Sequence, residues 1–178
     1  MATAPALPFV SVEDYLRTEY EPYCEYVDGV LLPKRMPGDD HSSFLEALIL
    51  FLSHQKRRLG LHVRPERHIR INQTRYRIPD LAVFTQKDSR GTAWIAPLVT
   101  VEIVSPDETW NELNDKIRDH LAMGVGTAIV VDHHSHTVFM ASAQQPMHQL
   151  ASPLRAQINV PDRGTLELDF DQIFADMD

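Results

Sequence analysis

One cysteine, Cys24, in 178 residues rules out an intrachain disulfide and any thiolate metal site, and agrees with a reducing compartment. The longest apolar runs, such as residues 47–52, fall far short of the ~20 residues a membrane helix needs, so no span is expected. Residues 1–10 lack the basic stretch that opens a secretory signal. They read as a flexible arm ahead of one domain over residues 11–178, with the cytoplasm as default location. Also missing are a glycine-rich phosphate loop, a nucleophile elbow, a low-complexity linker and any internal repeat, which argues against nucleotide-loop and serine-hydrolase chemistry.

The net charge of −8 argues against a surface coated in nucleic acid, but the charge is uneven. Between Lys56 and Arg77 stand eight basic residues against the single acid Glu66, so this segment carries +7 and the remainder −15. Such a concentration is the local footprint that a polyanion requires. Arginines that simply face water from a solvated strand pair would give the same pattern.

Ser11 followed by Asp14 resembles a helix cap, and Val12, Tyr15 and Leu16 supply a short stripe for a helix over 12–19. Asp28-Gly29 between β-prone residues signals a tight hairpin, with Glu25 on its first arm. Phe44, Leu48, Phe51 and Leu52 repeat at helical spacing, which makes 41–59 the main core helix. From Leu61 the period becomes two, predicting a pair of antiparallel strands that turns at Asn72 and ends near Phe84. A polar loop leads to a strand containing Glu102, which Ser105-Pro106 terminates. A helix follows with Trp110, Leu113, Ile117 and Leu121 on one stripe, stopped by Gly124. Two strands, 127–132 and 137–141, flank a turn at His133 to His136, a weaker β stretch covers 147–160, and 170–174 forms a terminal helical turn. The order implies an α/β or α+β layered sandwich with a mixed sheet flanked by helices.

Two carboxylates stand out against this frame. Asp80 lies in Ile78-Pro79-Asp80-Leu81-Ala82-Val83-Phe84 and Glu102 in Leu98-Val99-Thr100-Val101-Glu102-Ile103-Val104, both runs apolar on each face of the pleat. A carboxylate in such a place neutralises, pairs or binds a metal. Lys116 lies on the following helix roughly 60° from the core stripe at Leu113, and its long stem can bend toward the sheet. An ordinary exposed helix lysine would look the same, and Glu112 at i−4 is a candidate partner for it.

Taken together, Glu25-Tyr26-Val27-Asp28-Gly29, His41, Pro79-Asp80, Glu102-Ile103-Val104-Ser105-Pro106, Asp115-Lys116, Gly124-Val125 and Val130-Val131-Asp132 resemble the Uma family of restriction-endonuclease-like proteins. That family falls in the PD-(D/E)xK nuclease superfamily, and the likeness covers nearly the whole chain. The resemblance implies a restriction-endonuclease-like core and metal-dependent hydrolysis of DNA phosphodiesters. Asp80 and Glu102 would be metal ligands, with the backbone carbonyl of Ile103 a third oxygen and Glu25 completing or supporting the site. Oxygen donors of this kind suit Mg2+ or Mn2+. Val104 occupies the position where the superfamily motif carries lysine, and Lys116 would stand in for it. Arg64, Arg67, Arg70, Arg75 and Arg77 would touch the nucleic-acid backbone, as would His41, which as an early helix residue could equally be a structural hydrogen bonder. His133, His134 and His136 have the look of a metal cluster, but a polar turn after Asp132 explains them without function. Cutting both strands is compatible with a homodimer. The alternative is a nuclease fold without turnover that binds nucleic acid or a protein partner.

Overall fold

The computed structural model describes residues 9–177. Residues 1–8, most of the expected N-terminal arm, lie outside them. Of the rest of that arm, Val10 donates its backbone N–H to Gly29 O and accepts from the Tyr26 hydroxyl.

Helix α1 (Val12–Arg17) starts at the expected cap, Ser11 accepting from Asp14 N, and ends two residues short of the expectation. Strands β1 (Cys24–Val27) and β2 (Val30–Pro33) form the expected hairpin, turned by Asp28 and Gly29, both at positive φ. Only glycine reaches the +95° of the second position without strain. Helix α2 (Asp39–Lys56) starts two residues before the expected His41, because Gly38 takes the N-cap position.

The expected strand pair after Leu61 is four short strands: β3 (His62–Pro65), β4 (Ile69–Arg70), β5 (Arg75–Arg77) and β6 (Leu81–Phe84). They divide between two sheets. Glu66 at φ 45° ends β3, and Ile78-Pro79-Asp80 carries the chain from one sheet to the other. One sheet has the order β2-β1-β5-β4. The other has the order β10-β9-β8-β7-β6-β3 and uses β7 (Val99–Ile103), β8 (Thr127–Asp132), β9 (Thr137–Ala141) and β10 (His148–Gln149). Its one parallel pair, β7 with β8, is bridged by the crossover helix α3 (Trp110–Met123), while the other pairs are antiparallel. The weak β stretch resolves into β10 and β11 (Arg155–Val160), and β11 pairs with β12 (Gly164–Asp169). The sequence reading missed β12. Helix α4 (Phe170–Ala175) closes the chain.

The mixed sheet is covered on both faces. Val99, Val101 and Ile103 of β7 face one large core with Phe44, Leu48 and Leu52 of α2, the β11–β12 hairpin and α4. Leu113 and Ile117 of α3 pack on the opposite face against Ala128, Val130 and Ala141. Period two along β7 therefore turns Thr100 and Glu102 toward α3. This alternation decides what surrounds Glu102.

Candidate functional site

The β6–β7 register, Leu81 opposite Val101 and Ala82 opposite Thr100, puts Asp80 at the position facing Glu102, one residue before β6 begins. Asp80 is thus at the strand's mouth rather than inside it, which corrects the expectation of a carboxylate within the run. Its Oδ2 accepts from Ile103 N at 2.7 Å and has His41 Nε2 at 3.4 Å; its Oδ1 accepts from Lys34 Nζ at 2.7 Å. Burial alone would raise this carboxyl, but Lys34 and His41 outweigh it and hold it well below the ordinary carboxylate range.

Glu102 is 1% exposed and has the opposite fate. Helix α3 aims Lys116 and His120, one turn apart, at its two oxygens: Lys116 Nζ lies 3.3 Å from Oε2 and His120 Nε2 3.4 Å from Oε1. No hydrogen bond forms to Oε1 among the described residues, nor does His120 Nε2 find a partner there. Burial, reinforced by Asp80 and Glu25 and only partly offset by Lys116, pushes the Glu102 carboxyl up to about 8. Burial together with Arg77 and Lys116 takes His120 down to about 3, so this ring is neutral and its hydrogen-bond partner is Thr100 Oγ1, 3.0 Å from Nδ1. Lys116 is raised despite its burial, because Glu102, Glu25 and Glu108, whose Oε1 lies 2.7 Å away, all favour the ammonium.

Asp80, Lys34, His41, Ile103, Glu108 and Lys116 are among the residues that line a cavity of about 460 Å³, and Glu102 lies directly behind Lys116. The structure thus brings Asp80, Glu102, Ile103, Lys116 and His41 together. The alternative pairing of Lys116 with Glu112 does not form: Glu112 closes the capping box with Thr109 and accepts from Arg35. Glu25 lines the same cavity, but both its oxygens are engaged, by Arg77 Nη1 at 2.7 Å and Ile78 N at 3.0 Å, so it braces the chain beside Asp80.

The basic segment divides. Arg77, expected on a nucleic-acid backbone, is 4% exposed and committed to Glu25 and Asp119. Arg75 joins Asp28 and Asp119, and Arg67 donates to the carbonyls of Asp88, Arg90 and Gly91. Arg70 lies 4.3 Å over the Trp94 ring, and Arg64 is exposed with, among the described residues, only the neighbouring Val63 carbonyl as partner.

Sequence reasoning missed Lys34, Glu108 and His120. His120 was within reach, being four residues after Lys116 on the helix facing Glu102. Lys34, in a stretch that reads as turn, carries no such signal.

The donor set is compatible with a hard divalent ion: two carboxylates and the Ile103 carbonyl are oxygen donors, and Glu102 Oε1 is buried without a hydrogen-bond partner among the described residues. No described helix is long and apolar enough to cross a membrane.

A comparison with solved structures finds a likeness to the crystal structure of a putative nuclease belonging to DUF820 from Anabaena variabilis. It has a TM-score of 0.78 and 25% identity, covering 94% of this chain and 99% of that one. A search of curated proteins gave no match. Residues 12–171 match the Uma2 family, described as "Putative restriction endonuclease". The chain therefore belongs to the Uma2 family, on a mixed-sheet α+β fold shared with that Anabaena variabilis protein.

Proposed function

We propose that this protein is a divalent-metal-dependent endonuclease that hydrolyses DNA phosphodiester bonds. The observation that carries the proposal is the meeting, beside one cavity, of Asp80, the unsatisfied buried oxygen of Glu102 and the ammonium of Lys116. Asp80, Glu102 and the Ile103 carbonyl would hold Mg2+ or Mn2+, which when bound supplies Lewis-acid stabilisation of the charge building on a phosphodiester. Lys116, braced by Glu108 at 2.7 Å, presents a fixed positive charge for the same purpose. His41, hydrogen-bonding distance from Asp80, orients that carboxylate, and Glu25 with Arg77 holds the backbone at Ile78 in place. Incubating plasmid with the protein and Mg2+ or Mn2+ tests the reading: wild type cleaves and Asp80→Ala does not. Equal cleavage by the two removes the enzyme reading.

One observation favours a second reading, a nuclease fold that binds without turnover. Each carboxylate already has a lysine partner, Lys34 on Asp80 and Lys116 on Glu102, as a purely structural cluster would. A divalent-ion titration separates the two, since that module would give no heat dependent on Glu102.

A further inference from the structure

The wall beside the carboxylate site carries a second set of ligating side chains. Asp40 in the first turn of α2 and His133 and His134 in the β8–β9 turn line a cavity of about 520 Å³. A carboxylate oxygen and two imidazole nitrogens from these residues all lie within 4.8 Å of one another. We propose that Asp40, His133 and His134 form a binding site for a zinc-class transition ion, separate from the oxygen-only site at Asp80 and Glu102.

Three observations support it. His133 is 5% exposed, and its Nδ1 has no hydrogen-bond partner among the described residues. A ring nitrogen buried in that state is destabilising until something ligates it. Next, Asp40 Oδ2 and His134 Nδ1 stand 4.0 Å apart. That is too long for a hydrogen bond, and a little wider than the roughly 3.4 Å between two tetrahedral donors that each reach one ion at about 2.1 Å. Both side chains are exposed and free to close the remaining gap. Finally, the turn is held in shape independently of any ion: Asp132 accepts from His134 N at 3.0 Å, Ser135 N at 3.2 Å and Ser135 Oγ at 2.7 Å.

The donor chemistry separates the two sites. Two imidazoles, one carboxylate and a position open to solvent select zinc and its neighbours, whereas carboxylate and carbonyl oxygens select magnesium or manganese. His136, the third histidine of the turn, takes no part, because its ring stacks on Phe174 at 4.4 Å between centroids. An ion at the triad would pin the start of α2 to the β8–β9 turn. Between the two sites stands His41, with one nitrogen 3.4 Å from Asp80 and its ring edge-on to His133 at 6.4 Å.

Calorimetric titration of the full chain with zinc, in excess Mg2+ to occupy the oxygen site, tests the proposal without reference to cleavage. Wild type binds one equivalent, and the Asp40→Asn/His134→Ala double variant, altered only at exposed positions, loses about tenfold or more in affinity. Zinc also raises the wild-type Tm and leaves that of the double variant unmoved, with both proteins folded by circular dichroism. No zinc binding by wild type, the same affinity in the double variant, or binding removed by Asp80→Ala while the double variant retains it would each overturn the site.

Discussion

Two charge clusters flank the same short segment, Arg75 to Asp80, and they are built to opposite standards. In the first, Asp28, Arg75, Asp119, Arg77 and Glu25 form a chain in which each guanidinium bridges two carboxylates and Glu25 ends on the Ile78 amide. In the second, Asp80 is fully satisfied, while Glu102 and His120 face each other with an unpaired oxygen and an unpaired nitrogen. A satisfied network, buried at Glu25, Arg77 and Asp119, fixes a shape. The second is left incomplete beside a cavity, and it is there that the proposed function puts the chemistry, with the first cluster as scaffold.

The largest expected effect breaks the second cluster: Asp80→Ala reduces metal-dependent plasmid cleavage to background. The next breaks the first. Arg77→Ala leaves Glu25 buried without its cation and Asp119 with Arg75 alone, and lowers unfolding free energy by about 3–5 kcal/mol, measured by denaturant titration. If instead Arg77→Ala is as stable as wild type and loses only DNA affinity, the network is no scaffold and the assignment of the two clusters reverses.

Much of this contrast was legible in the sequence, and part of it was not. Asp80 and Glu102 stood out because a carboxylate in an apolar run is costly wherever the run packs, even though Asp80 proves to sit just before its strand, and the hairpin at Asp28-Gly29 and the helices α2 and α3 followed from local turn chemistry and periodicity. The basic segment misled because composition counts charges without locating them. Arg77 alternates along β5 as a surface arginine would, and only the packing of α3 brings Asp119 to it. Lys34 reaches Asp80 from 46 residues away. Strand β12 escaped because its pairing depends on the turn with β11 rather than on a long run of β-prone residues.

A pH experiment sharpens the comparison further. In a chelating buffer, Glu102 has a folded pKa raised to about 8 from a model-peptide value near 4.5, so the folded state binds its proton more tightly than the unfolded chain. Its contribution is fully present below the unfolded pKa and is lost as pH rises through about 8, a change of a few kcal/mol. Glu102→Gln removes that decline, and its unfolding free energy at pH 9 falls less, relative to pH 6, than that of wild type. A parallel pH profile for the two proteins would mean that Glu102 is ionised throughout. Asp80 runs the other way, stabilising above the unfolded carboxylate pKa and losing this as pH falls through its depressed folded value.

The smallest effect belongs to the exposed arginine. Arg64→Ala leaves the fold untouched and weakens DNA binding slightly, lowering the slope of log affinity against log salt by about one unit. An unchanged slope would place the DNA elsewhere on the surface.

Calorimetric titration with Mn2+ tests most directly whether Asp80 and Glu102 together hold a divalent ion, as proposed. One binding event is predicted in wild type, absent from both Asp80→Ala and Glu102→Ala and retained in the Asp40→Asn/His134→Ala variant. An isotherm that is the same in wild type and Asp80→Ala would contradict it.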